Sequence, residues 1–206
     1  MRLDKLYAIL DPSVRSDLPF LTIAEQLLKG GARLIQYRNK SASSRELLSE
    51  TMRLIRLAGP NKGRVIVNDR ADVAWLARAH GVHVGQSDLN VRQVRKIVGP
   101  RKIVGVSTHH LEQALVAAKT SATYIAVGPI FPTTTKQNPD PVIGLEGLRE
   151  IRKHVAKPIV AIGGITSENA GDVIAAGADS VAVSSHLLRA EDITARTRLL
   201  VRLLGR

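Results

Sequence analysis

Three groups of residues have the types and spacing to handle phosphate. Gln36, Arg38 and Lys40 alternate along a segment that reads as extended, so they project to one side of it. Two cations and an amide on one inward face are costly without an anion to pair with. The group therefore reads as a phosphate or pyrophosphate clamp, against the plainer alternative of an edge strand with a solvated charged face. Asp69 and Asp88 stand nineteen residues apart, the length of one strand–helix unit. Two hard carboxylates beside anion-binding cations suit Mg2+, which is commonly held by one or two carboxylates together with substrate phosphates. Taken singly, Asp69 also suits a helix N-cap and Asp88 a turn. The third group is Gly163-Gly164 with Ser184-Ser185 one unit later, where bare backbone N–H groups and a helix N-terminus can receive a second phosphate.

Short β-branched runs followed by helical periodicity are the elements that must position these groups. Strands are expected at Leu6–Leu10, Leu34–Arg38, Val65–Asn68, Val82–Val84, Ile103–Val106, Tyr124–Val127, Ile159–Ile162 and Ser180–Val183, with helical patterns between them and a final helix over Ile193–Leu204. Asp69, Ser107 or Thr108, and Thr166 or Ser167 are candidate N-caps. Alternating strands and helices require parallel pairing. Eight such units in 206 residues point to a single-domain (β/α)8 TIM barrel over residues 1–206, with an open doubly wound sheet as the alternative. In such a barrel the chemistry gathers at the C-terminal ends of the strands. Every expected strand after the first ends in polar residues or glycine there. His83 reads as a packed strand residue, and the role of His109 stays open. The long loop from Gly128 to Gly144 is rich in Pro and Thr, and loops of that length inside compact domains are usually functional or mobile.

Composition narrows the class. Lys and Arg number 30 against 18 Asp and Glu, a net charge of +12, which favours anionic partners. The six aromatics, Tyr7, Phe20, Tyr37, Trp75, Tyr124 and Phe131, are too scattered for a base-stacking platform, so nucleic acid is not expected. The absence of cysteine excludes disulfides, thiolate metal sites and Cys nucleophiles. No apolar run reaches the roughly 18–20 residues of a membrane span, and Met1 to Leu10 does not resemble a signal peptide. A soluble cytoplasmic protein is expected.

The motifs QYRNK at 36–40, NDRADVA at 68–74, GVHVGQSD at 81–88, GVSTH at 105–109, YIAVGPIFPTTTK at 124–136, AIGGIT at 161–166 and VAVSS at 181–185 resemble, in order and over nearly the whole chain, the thiamine phosphate synthase (thiamine-phosphate pyrophosphorylase) family. The resemblance implies a transferase on a (β/α)8 barrel. It would join 4-amino-2-methyl-5-hydroxymethylpyrimidine diphosphate to 4-methyl-5-(2-phosphoethyl)thiazole with release of pyrophosphate. It further implies that Gln36, Tyr37, Arg38, Asn39 and Lys40, with Asn68, Ser107 and Lys136, bind the pyrimidine diphosphate. Asp69 and Asp88 would hold Mg2+. Thr133, Thr134, Thr135, Gly164, Val183 and Ser184 would bind the thiazole phosphate. Arg38, Lys40 and Lys136 are the expected catalytic cations. The alternatives are a thiazole tautomerase of the same superfamily, which often carries a His where this chain has Pro129, and a non-catalytic basic module binding a phosphometabolite or RNA.

Overall fold

A computed structural model describes residues 3–133 and 140–205. The strands are β1 (Leu6–Leu10), β2 (Leu34–Tyr37), β3 (Arg64–Asn68), β4 (Gly81–Val84), β5 (Ile103–Thr108), β6 (Tyr124–Val127), β7 (Ile159–Ile162) and β8 (Ser180–Val183). Each pairs in parallel with the next, and β8 pairs with β1 to close the barrel. The helices are α1 (Phe20–Gly30), α2 (Ser44–Ala58), α3 (Ala71–Leu76), α4 (Val91–Val98), α5 (Leu111–Ala118), α6 (Gly144–His154), α7 (Ala170–Ala175), α8 (Ser185–Leu188) and α9 (Ile193–Leu204). The expected (β/α)8 barrel is therefore the fold. Among the described residues no helix is long and apolar enough to cross a membrane.

Two apolar layers follow from the strand alternation. Leu3, Tyr7, Ile9, Leu34, Ile66, Ile103, Tyr124, Ala126, Val160 and Ala182 fill the barrel interior. The outward residues, among them Ile35, Tyr37, Val65, Val82, Val104, Ile125 and Val183, pack against the helices. Closed on both faces, the strands read as nearly continuous apolar runs, as buried parallel strands do.

Helix starts differ in part from expectation. Ser43 with Glu46 and Asn90 with Gln93 form capping boxes on α2 and α4, and Asp192 caps α9. The expected caps do not cap: α3 starts after Arg70, α5 after His110 and α7 after Asn169. Their side chains make other contacts: Thr108 Oγ1 donates to the Ala126 carbonyl at 2.9 Å, and Thr166 Oγ1 accepts the Glu168 N–H at 3.3 Å.

Much of the basic surplus lies at the opposite, N-terminal base of the barrel. Lys5 Nζ donates to the Leu204 carbonyl (2.7 Å), Lys102 Nζ to Ala79 (2.6 Å) and Lys157 Nζ to Ala122 (3.1 Å). Arg95 donates to the carbonyls of Gly99, Lys102 and Ser121, and Arg152 to those of Val155 and Lys157. Cations at helix C-termini answer both the orphan carbonyls and the negative end of the helix dipole. A cleft of about 370 Å³ at this base, lined by Leu3, Lys5, Arg33 and Leu204, lies at the far end from the polar rim. On the flank, Trp75 on α3 is 55% exposed.

Candidate active site

The rim of β1–β4 gathers charges that the sequence separates. β2 stops at Tyr37, one residue short of the expected strand. Gln36 points into the barrel, buried, and its Nε2 donates to the Tyr7 hydroxyl at 3.1 Å. Tyr37 points the other way: its ring packs against Phe20, 5.5 Å between centroids, and its hydroxyl donates to Glu50 at 2.6 Å. Asn39 Nδ2 donates to the same carboxylate at 3.2 Å. Of the five residues at 36–40, Tyr37 and Asn39 are thus turned towards α2 rather than the mouth, as strand alternation requires.

The two cations have carboxylate partners. Arg38 is paired with Asp11, which lies level with it beyond the ends of β1 and β2 and is buried at 3% exposure. Asp11 is fixed in turn by the backbone N–H and hydroxyl of Ser13, at 3.0 and 2.6 Å. Lys40, beyond the strand, pairs with Asp69 at 3.3 Å. Asp11 escaped sequence reasoning. Its signal was its place directly after the first strand, but the pairing with Arg38 depends on the β1–β2 register.

Asp69 adopts φ +61°, an uncommon conformation for a residue other than glycine and one that clusters at functional sites. The N-cap reading fails for it. Burial, and then the Asp88 carboxylate facing it, raise its pKa above the ordinary carboxylate value, with Lys40 opposing. Asp88 also closes a turn by accepting the Gly85 N–H at 2.7 Å. Among the described residues no cluster of three or more His, Asp or Glu could hold a metal. Two facing carboxylates, one of them paired with Lys40, still form a donor set that a hard divalent cation fits, the remaining ligands being phosphate and water oxygens.

A chain of buried polar groups crosses the barrel beneath this rim. Ser107 Oγ lies 2.8 Å from His83 Nε2, His83 Nδ1 lies 2.9 Å from the Tyr124 hydroxyl, and the two tyrosine hydroxyls are 3.0 Å apart. Burial pushes the His83 pKa down to about 4, so the imidazole is neutral. His83 is packed, as its place within a strand suggested, but it is also hydrogen-bonded at both nitrogens. Asn68 pairs with His83 in register.

On the far arc, Gly163 and Gly164 have φ +101° and +64°. A Cβ at Gly164 would lie 2.6 Å from the Pro132 carbonyl oxygen, so only glycine lets the loop after β6 cross here. The Ser184 hydroxyl at the end of β8 is buried with no hydrogen-bond partner among the described residues. The Val183 side chain packs in the helical layer, leaving only its backbone for the mouth. Thr133 is the last residue described before the loop after β6 resumes at Asp140. Thr134, Thr135 and Lys136 lie outside the described residues. His109, whose role was open, has Nδ1 2.7 Å from the Gly128 carbonyl.

A closed parallel barrel with cations, facing carboxylates and an unpaired hydroxyl collected on one rim is an enzyme, of the class that works on phosphorylated small molecules. The family described as thiamine monophosphate synthase matches residues 6–187, and the thiamine-phosphate synthases of Koribacter versatilis and Chloroflexus aurantiacus are 51% and 46% identical, over 91% and 95% of this chain and 90% of each relative. The thiamine phosphate pyrophosphorylase structure from Pyrococcus furiosus superposes with a TM-score of 0.89 at 38% identity, covering 98% of this chain and 95% of that one. The chain belongs to the thiamine monophosphate synthase family.

Proposed function

We propose that the rim of β2–β4 binds 4-amino-2-methyl-5-hydroxymethylpyrimidine diphosphate and the rim of β7–β8 binds 4-methyl-5-(2-phosphoethyl)thiazole, the two substrates of the condensation that this enzyme catalyses. The observation that carries this division is the placement of two anion-receptive groups on opposite arcs of one mouth. Arg38 and Lys40 with Asp69 and Asp88 stand on one arc, and the Gly164 turn with the orphan Ser184 hydroxyl on the other.

The chemistry needs one bond broken and one made. The bond from the pyrimidine methylene carbon to the bridging diphosphate oxygen breaks, and its electron pair leaves with pyrophosphate. The aminopyrimidine ring tolerates the positive charge left on the methylene. The thiazole nitrogen then donates its lone pair to that carbon, and no proton is transferred. Arg38 and Lys40 bind the departing oxygens and stabilise charge that grows as the bond stretches. Asp11 and Asp69 hold these cations in place beforehand, so little reorganisation is required. Asp69 and Asp88 would hold Mg2+, which would supply further charge neutralisation on the leaving group. Ser184 and the Gly164 turn anchor the thiazole phosphate, which brings its nitrogen to the carbon at high effective concentration. No enzyme nucleophile takes part, in keeping with a chain that has no cysteine.

The test is direct. Purified protein is mixed with both substrates, with and without Mg2+, and thiamine phosphate and pyrophosphate are followed. Product in equal amounts, dependent on Mg2+, is expected. Folded protein that makes none would favour the tautomerase or the phosphometabolite binder.

A further inference from the structure

The turn after β7 and the short helix after β8 are joined through an imidazole. His186 stands on α8, half-buried, and its Nε2 lies 3.0 Å from the Ser167 backbone nitrogen. A backbone N–H only donates, so Nε2 is bare and the neutral ring carries its hydrogen on Nδ1. The Ser167 hydroxyl, also 3.0 Å from Nε2, has the Glu168 carboxylate as its acceptor at 2.9 Å. Arg196, on α9, covers the ring. One of its guanidinium nitrogens lies 3.0 Å from Nε2 and 3.3 Å from Nδ1. The lone-pair directions of the two ring nitrogens diverge, so an atom this near to both lies against the ring face, where guanidinium groups stack. Burial, and then the Arg196 cation, lower the His186 pKa, with Glu168 opposing, so Nε2 stays an acceptor.

The two pieces that the imidazole joins are each held by bonds of their own. In the turn after β7, Asn169 Nδ2 donates to the Gly164 carbonyl at 3.0 Å, and Asn169 Oδ1 accepts the Thr166 N–H at 2.8 Å. The segment from Gly164 to Asn169 thus closes on itself. At α8, the Leu187 N–H donates to the Ser184 carbonyl at 2.9 Å. Arg15 donates to the carbonyls of Leu188 and Ala190 at 2.9 and 2.7 Å, where α8 ends. Arg196 sits in the first turn of α9, which Asp192 caps. Gly164 lies three residues before Ser167, and Ser184 two before His186. The bond from Ser167 to His186 therefore spans the two arms assigned above to the second phosphate, close to both.

We infer that His186 is a positioning residue for the second substrate: by accepting the Ser167 N–H it sets the separation between the Gly164 turn and the Ser184 hydroxyl, and so fits the pair to one phosphate group. Arg196 holds the imidazole in the orientation that accepts. The inference rests on the proposed binding of the thiazole phosphate at β7–β8. A phosphate that bonds to donors on two elements at once is sensitive to the gap between them, because its charge-assisted hydrogen bonds are short. Without the tie, each arm keeps its own shape and the gap is no longer fixed. His186 itself touches neither substrate in this arrangement.

The test measures kcat, KM for each substrate and the urea midpoint in the wild type and in His186→Phe, His186→Gln, Arg196→Met and Ser184→Ala. His186→Phe keeps a ring beside Arg196 but has no acceptor. It is expected to raise KM for the thiazole phosphate by about two- to tenfold, the range for one hydrogen bond. KM for the pyrimidine diphosphate and kcat are expected to stay unchanged, the pattern of lost uniform binding. His186→Gln can place Oε1 near the position of Nε2 and is expected to recover most of the loss. Should His186→Phe not fold, Arg196→Met, which keeps the imidazole but removes its support, is expected to move the same KM in the same direction. An unchanged thiazole KM in folded His186→Phe, or an equal rise in both KM values, would assign His186 to packing alone and overturn the inference. So would a glutamine variant no better than the phenylalanine one, or an Arg196→Met enzyme with the wild-type thiazole KM. Ser184→Ala tests the underlying assignment separately and is expected to raise the thiazole KM. A Ser184→Ala enzyme that instead loses affinity for the pyrimidine diphosphate would overturn the division of the mouth on which the inference stands.

Discussion

Asp69 combines a left-handed backbone, a raised pKa and a carboxylate neighbour at Asp88. All three cost stability, and none is needed to hold the barrel together. Such a position is expected where function sets the residue. Asn tolerates the left-handed region about as well as Asp and carries no charge to set against Asp88. Asp69→Asn is therefore expected to melt at or above the wild-type temperature while losing most of its Mg2+-dependent turnover. Calorimetry and the product assay on the same preparation check both halves. At the same scale, Arg38 and Lys40 were legible as a pair of inward cations, but their carboxylate partners were not. The anion that their charge called for is supplied partly by Asp11 and Asp69 themselves, so an incoming diphosphate must share these cations rather than find them bare.

At the scale of elements, seven of the eight strands lie within a residue of where β-branched runs place them, because each run is short and flanked by helical periodicity. β5 runs on two residues further to Thr108, whose side chain is held by the Ala126 carbonyl. The helix starts were less legible. Asp69, Ser107 and Thr108 have the chemistry of caps, but the rim takes their side chains for other contacts. The hydrogen-bonded chain was not legible at all. Tyr7, His83 and Tyr124 come from three strands, and only closure of the barrel brings them together. β5 depends on this closure at Gly105, which pairs in register with His83 on one side and Tyr124 on the other. Gly105→Ala would drive a methyl into the Tyr124 ring and is expected to destabilise the fold by about 1–3 kcal/mol. A lowered urea midpoint with an unchanged slope is the expected reading.

Over the whole molecule, stability is tied to pH through His83. Its ordinary pKa is 6.5 and burial lowers it to about 4, so between these values the unfolded chain binds a proton that the folded one refuses. The contribution of the neutral imidazole is complete above pH 6.5 and is lost as pH falls towards 4. The loss from this group is roughly 3 kcal/mol. Urea titrations at pH 7 and pH 5 are expected to show the lower midpoint at pH 5, and Tyr124→Phe should change the size of that drop. Charge is distributed with equal consistency. The carboxylates Asp11, Asp69 and Asp88 stand at the mouth, and the cations of the base bind carbonyls at and just beyond the helix C-termini.

Trp75 is the only tryptophan, and it stands on α3 with more than half its surface in water. Its indole has much the same surroundings in the folded chain as in the unfolded one, so its emission colour is a poor witness to the barrel. Tyr7, Tyr37 and Tyr124 are all enclosed, two of them within the chain that crosses the core. The near-ultraviolet dichroism of these phenols is the optical signal that appears with barrel closure and disappears with it.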